Sequence, residues 1–184
     1  HDFAVPQWVF GQATYTINPT GVYALYFEDG QQQLCHINRD NGHIEPIKLP
    51  FTYFEGALLS DEDNLYFCAA SPAAEVAMYR YHIATERCEA LTESSKFVLT
   101  ADEVSVAQSI YFESSNGRKC HAFYYSPQNK AFDGPEAGSP PLIGMRHGGP
   151  TGETNSSLSP GIQFWTSRGF AVVDVNYAGS TGFG

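Results

Sequence analysis

What the sequence lacks narrows its reading first. Basic charge is scarce, with 10 Lys and Arg against 20 Asp and Glu and a formal net charge of −10. No basic patch stands out, which argues against a nucleic-acid or anionic-membrane partner. Long apolar runs are missing too; the stretch "GFAVV" near the C-terminus is far too short to span a membrane. Cysteine is limited to Cys35, Cys68, Cys88 and Cys120, widely scattered and without a C-x-x-C pair. A zinc site is therefore not expected, and burial on strands as small hydrophobes is the better reading. No cofactor is expected either. Such cysteine usage favours a reducing compartment, and the expected location is cytoplasmic. No signal peptide is visible, but the chain opens on His1 rather than Met and stops inside the glycine-rich "YAGSTGFG". The expectation is an internal piece of a longer polypeptide.

What is present points to strands. The 184 residues are 42% hydrophobic and 16% charged, as in a folded globular protein. Aromatics reach 14%, with 11 Tyr and 13 Phe, a bias toward β structure. The first half also repeats itself. "LYF" occurs at 25 and again at 65, 40 positions on, and "HI" at 36 and 82, 46 positions on. Glu45 and Glu89 close the two units, and the six extra residues of the second fit a longer hairpin around "SPAAE". Each unit reads as short strands between turn signals such as "EDG", "RDNG" and "SDEDN". About four strands per 40-residue unit is the signature of propeller blades; a β-sandwich is the alternative. His36 and His82 stand at matching places in the two copies, which repeat ancestry explains better than metal binding.

From about residue 97 the repeat stops. "SIYFESSNGRKCHAFYYSP" reads as a hairpin: a strand Ser109–Glu113, an Asn116-Gly117 turn, and a strand Cys120–Tyr125. "QNKAFDGPEAGSPP" is a polar surface connection, and "PLIGMR" a short buried strand. "SPGIQFWTSRG" predicts a helix with Ser159 as N-cap, Pro160 in the first turn and Gly169 as its stop. "FAVVDVNY" predicts a strand buried on both faces. Strand, helix and strand make a right-handed parallel βαβ unit, so an α/β domain is expected to open near residue 100.

"HGGP", at His147 to Pro150, lies at the C-terminal end of the first of these parallel strands, where open α/β sheets place ligands. Glycine lets the backbone approach a ligand closely, and proline carries no N–H. The donors this turn can offer are thus the amides of Gly148 and Gly149 and their neighbours, suited to an oxygen that gains negative charge in acyl transfer. An ordinary glycine turn is the competing reading.

In company the motif says more. "LIGMRHGGPTGET", "IQFWTSRGFAVVDVNYAGSTGFG" and the preceding blades together resemble the prolyl oligopeptidase family of serine peptidases, most closely its acylaminoacyl-peptidase and dipeptidyl-aminopeptidase branch. "PQWVFGQATY" and the repeats resemble the end of that family's propeller, and "GRKCHAFYYSP" the start of its hydrolase domain. Where the family commonly has Arg or Gly, this chain has Ala178. The resemblance implies a mixed fold: C-terminal blades of a β-propeller over residues 1–100, then the N-terminal part of an α/β-hydrolase domain over residues 101–184. It implies an oxyanion hole at Gly149 and Gly148, flanked by His147.

A serine peptidase also needs a nucleophile, a base and an orienting acid. The chain has no G-x-S-x-G element. Ser180, Asp174 and His147 do not make a triad, because their chain order is not the Ser, acid, His order of that class. The triad is expected beyond Gly184, and the segment alone is expected to be inactive. The function read from the resemblance is a piece of a serine exopeptidase or oligopeptidase that cleaves short peptides through an acyl-enzyme. The alternative is a propeller-based binding or scaffold protein with a degenerate hydrolase domain. No metal is expected at the site, and a homo-oligomer is left open.

Overall fold

The computed structural model describes residues 2–6, 9–92, 99–115, 117–134, 138–149 and 151–183. Among these residues twelve strands fall into three separate four-stranded sheets. The first holds β1 (Tyr15–Asn18), β2 (Gly21–Glu28), β3 (Gln31–Ile37) and β4 (Ile44–Ile47) in sequential antiparallel order. The second repeats the plan with β5 (Tyr53–Ser60), β6 (Asn64–Ser71), β7 (Ala74–His82) and β8 (Arg87–Ala90). Local chemistry sets these hairpins. Asp29 and Gly30 turn β2 into β3 with φ of 50° and 76°, the two left-handed residues that suit a tight hairpin. Asp61 starts the β5–β6 turn by accepting from the amides of Asp63 and Asn64 at 2.9 and 2.7 Å.

The repeat is visible in the core. Leu25 and Leu65 are buried in equivalent strands and share one cluster with Leu34, Phe54, Phe67 and Tyr81. The buried Gln32 ties the two sheets together, its amide donating to the Thr52 carbonyl at 3.1 Å and its Oε1 accepting from Phe54 at 2.6 Å. Register corrects the histidine equivalence. Leu25 faces Leu34, two residues before His36, whereas Leu65 faces Tyr81, the residue before His82. The two histidines are one step out of phase, with a bulge between Ala69 and Ser71 on the second copy. The second hairpin is also tight at its tip, where Ser71 pairs with Ala74; its extra length lies in the strands.

The third sheet has the order β11-β12-β10-β9, from β9 (Gln108–Glu113), β10 (Lys119–Tyr125), β11 (Leu142–Arg146) and β12 (Ala171–Asn176). β11 and β12 run parallel, while β10 is antiparallel to both β9 and β12. The helix α1 (Pro160–Thr166) crosses from β11 to β12. Ser159 caps it through the Ile162 amide at 3.4 Å, and Gly169, at φ 86°, lies just past its last turn. Ile162 packs on Phe123, Tyr125 and Val172.

The expected mixed fold, propeller blades followed by an α/β-hydrolase domain, is corrected by this architecture. The described residues are mostly β, with 46% strand and 4% helix, in three separate sheets. Residues 101–184 supply one seven-residue helix among the described residues and one parallel strand pair, not layers of helices on a parallel sheet. The physical reason is the sequence between the strands. The stretches at 126–141 and 147–158 are rich in Gly, Pro, Ser and Asn and carry no helical apolar period, and their described residues form loops. The "PLIGMR" strand is also not buried: it is an edge, with Leu142 60% and Met145 41% exposed. Of the cysteines only Cys35 is fully buried; Cys68, Cys88 and Cys120 are half-buried, and all four are free. Asn116 lies outside the described residues, but Gly117 holds its turn at φ 68°. Pro150, Gln7 and Trp8 also lie outside them.

Candidate functional site

Parallel pairing of β11 with β12 brings the C-terminal ends of both strands to the same edge of the sheet. Two loops therefore leave side by side: one opens with His147, Gly148 and Gly149, the other with Tyr177 and runs to Phe183. Both glycines are exposed, and Gly149 has φ 72°, a left-handed conformation that a side chain would strain. Among the described residues the amides of Gly148 and Gly149 donate to nothing. They are open donors at a strand end.

The second loop holds the first in place. The Tyr177 hydroxyl donates to the Gly149 carbonyl. Its ring stacks on that of His147, with centroids 4.3 Å apart and planes 19° from parallel. His147 Nε2 lies 2.7 Å from Ser180 Oγ, and its Nδ1 lies 3.2 Å from both the Gly148 carbonyl and the Tyr177 hydroxyl. Further along, the Thr181 amide donates to the Gly152 carbonyl at 2.8 Å.

A Ser–His contact of 2.7 Å has the length of a nucleophile–base pair, yet proton bookkeeping gives it another role. Ser180 Oγ donates its single proton to the Tyr177 carbonyl at 2.7 Å, so His147 Nε2 is the donor in the Ser180–His147 bond. Ser180 is 1% exposed and out of reach of a substrate. Asp174 does not orient the imidazole; it accepts from the Thr154 hydroxyl instead. The three residues share a neighbourhood, but they fasten loops.

Electrostatics adds two half-buried carboxyls, Asp174 and Glu153. Burial pushes the Asp174 carboxyl above its usual range, against the opposing pull of Thr154 and His147. Burial also raises Glu153, opposed by a hydrogen bond from Thr181 and by His147. Among the described residues no group of three His, Cys, Asp or Glu could hold a metal ion. His36 and His82 sit in different sheets, each bonded locally, to the Thr20 carbonyl and the Thr85 amide.

Reading the sequence located the glycine turn and His147 but missed Tyr177, Ser180, Asn176 and Thr154 as its supports. One signal was available: polar Asp174 and Asn176 interrupt an otherwise apolar strand, which demands buried partners.

The chain is similar to peptidases. The puromycin-hydrolyzing peptidase of Mycobacterium tuberculosis superposes with a TM-score of 0.93 at 28% identity, over 99% of this chain and 28% of its own. A crystal structure of puromycin hydrolase matches with a TM-score of 0.90, 28% identity and the same coverage of both chains. Among curated proteins, the uncharacterized peptidase YuxL of Bacillus subtilis (strain 168) is 25% identical over 171 residues, 92% of this chain and 25% of that protein. No family model matches the chain. This chain thus spans about a quarter of the length of these relatives. The likeness is to peptidases and does not single out the acylaminoacyl-peptidase and dipeptidyl-aminopeptidase branch. Among the described residues no helix is long and apolar enough to cross a membrane.

Proposed function

We propose that this chain is part of a serine peptidase of the prolyl oligopeptidase family that cleaves short peptides through an acyl-enzyme. Gly149 and Gly148 would donate their amides to the oxyanion of the tetrahedral intermediate, and His147 would flank the hole and hold its loop. One observation carries this reading: the exposed Gly148–Gly149 amides are unpartnered among the described residues and are braced from behind by Tyr177 and His147. Preorganised donors of this kind are what an oxyanion needs, because they cost no reorganisation when charge develops. The nucleophile, base and acid would come from polypeptide outside this segment, consistent with the share of the relatives it covers. The division falls near residue 100: two propeller-like sheets before it, and from 101 to 184 the sheet that carries the turn. Four free cysteines suit a reducing compartment such as the cytoplasm.

The test is hydrolysis of aminoacyl and short peptidyl nitroanilides by the full-length protein, together with fluorophosphonate labelling. The expected result is turnover with one labelled serine outside this segment. Absence of both would favour a binding or scaffold role, and labelling of Ser180 would overturn the assignment of residues.

A further inference from the structure

The loop from Asn176 to Phe183 is pinned at both ends by one buried residue, His121. At the near end Asn176 Nδ2 donates to His121 Nδ1 at 3.1 Å, which leaves Nε2–H to donate to Ser109 Oγ at 2.9 Å. At the far end Phe183 stacks on the same ring, with centroids 4.7 Å apart and planes at 23°. Between these anchors lie Tyr177 and Ser180, which hold the Gly148–Gly149 turn.

His121 itself is seated from the first sheet. The backbone of Gly30, at the tip of the β2–β3 hairpin, lies so close that a Cβ there would stand 2.7 Å from His121 Cε1 and 3.1 Å from Phe123 Cζ. Next to it, Asp29 Oδ1 accepts from the Tyr111 hydroxyl at 2.9 Å, and the Tyr111 ring meets the His121 ring edge-on. Gly182 closes the contact from the other side, where a Cβ would stand 2.9 Å from the Phe27 side chain. Nothing in strand or turn geometry requires a histidine at position 121. Its Nδ1 and its face hold the loop, its Nε2 is tied to Ser109 on β9, and its Cε1 edge packs against the hairpin tip.

We infer that the β2–β3 hairpin tip, acting through His121, is a positioning element for the Gly148–Gly149 turn. His121 touches no substrate; it fixes the loop that fixes the donors. The catalytic consequence rests on the peptidase reading, whereas the structural linkage does not.

The control is built into the same sheet. Gly30 and Gly42 are both left-handed, at φ 76° and 70°, but a Cβ at Gly42 would meet nothing within 4 Å. Gly30→Ala and Gly42→Ala therefore carry similar backbone strain, and only the first pushes on His121. In the full-length protein, selectively labelled with 15N-glycine and 15N-histidine, Gly30→Ala should shift the His121 ring and the Gly148 and Gly149 amide resonances. Gly42→Ala should leave them unchanged. The same pair should differ in kcat by about tenfold to a hundredfold with KM nearly constant, the mark of misplaced catalytic donors. If Gly30→Ala does not fold, Tyr111→Phe removes only the hydroxyl bond to Asp29 and should shift the same resonances. Equal spectra at Gly148 and Gly149 for the Gly30→Ala and Gly42→Ala proteins, or an unshifted Tyr111→Phe protein, would overturn the inference. A wild-type protein that hydrolyses nothing would sink the peptidase reading alone, because the resonances still report the linkage.

Discussion

The first two sheets and the third one bury different chemistry. Between the first two lies an aromatic and aliphatic core where Phe51, Phe54 and Phe67 meet edge-to-face, and among the described residues before 100 only Asn18, Gln32 and Thr52 are buried polar residues. After residue 100 the balance shifts. Ser105, His121, Thr154, Ser156, Gln163, Thr166, Asn176 and Ser180 are all buried, around a small apolar cluster of Phe123, Tyr125, Ile162 and Val172. Apolar packing is non-directional and makes a stable platform. Hydrogen-bonded polar groups are directional, and they specify one arrangement of the loops they join. The third sheet is thus built to hold a shape, and the first two are built to hold together.

Truncations in the two regions should break in different ways. Phe67→Ala empties part of the shared aromatic core and should cost about 3–5 kcal/mol, read from denaturant midpoints at constant m-value. Its effect on the Gly148 and Gly149 amides, measured in the folded protein, should be negligible. Asn176→Ala should cost less in stability, about 1–3 kcal/mol for leaving the Thr154 amide without its partner. It should nonetheless disturb the glycine turn more than Phe67→Ala does. A reversal of that ranking would erase the distinction between platform and loop holder.

Titration sharpens the same contrast, because the perturbed groups of the third sheet oppose one another. Burial holds His121 below its ordinary value, with Asp29 pulling the other way. Above about pH 6.5 the ring is neutral in both folded and unfolded chains and contributes nothing. As pH falls below that, the unfolded chain takes up a proton that the folded one refuses, so stability drops toward the lower folded value. Asp174 has the opposite sign. Its folded carboxyl, raised by burial, costs stability when ionised, and that cost is relieved as pH falls through the raised value. Asp174→Asn should therefore be more stable than wild type at pH 8, with the advantage shrinking as the solution is acidified. A gap that stays constant with pH would assign the effect to packing.

The smallest effect belongs to the second sheet's surface. Arg80 and Glu89 form an exposed cross-strand ion pair, and Arg80→Ala should change stability by less than about 1 kcal/mol in moderate salt. A larger loss would mean that the platform depends on charge as well as on its core.

Much of this was legible in the residues. The "LYF" repeat marked two sheets with Leu25 and Leu65 facing one core, and Ser159 and Gly169 bracketed the helix. "HGGP" marked the turn because glycine and proline carry strong local backbone constraints. Register was not legible: whether His82 matches His36 depends on a bulge between Ala69 and Ser71 that no local signal announces. Fold class was misjudged from one strand–helix–strand unit, since a single seven-residue helix does not make a helical layer. The bracing of the turn was hidden for a different reason. Tyr177, Ser180 and His121 act across 28 to 62 residues of sequence, and only the parallel pairing of β11 with β12 and the packing of the hairpin tip bring them together.

The role proposed for the Gly148–Gly149 amides is that of oxyanion donors held ready by the loop behind them. A crystal structure of the full-length protein with a boronate on its serine tests it most directly. The oxygen that mimics the oxyanion should lie about 2.7–3.1 Å from the Gly149 amide, with Tyr177 still bonded to the Gly149 carbonyl. An oxygen lying beyond roughly 3.5 Å from both the Gly148 and Gly149 amides would contradict it.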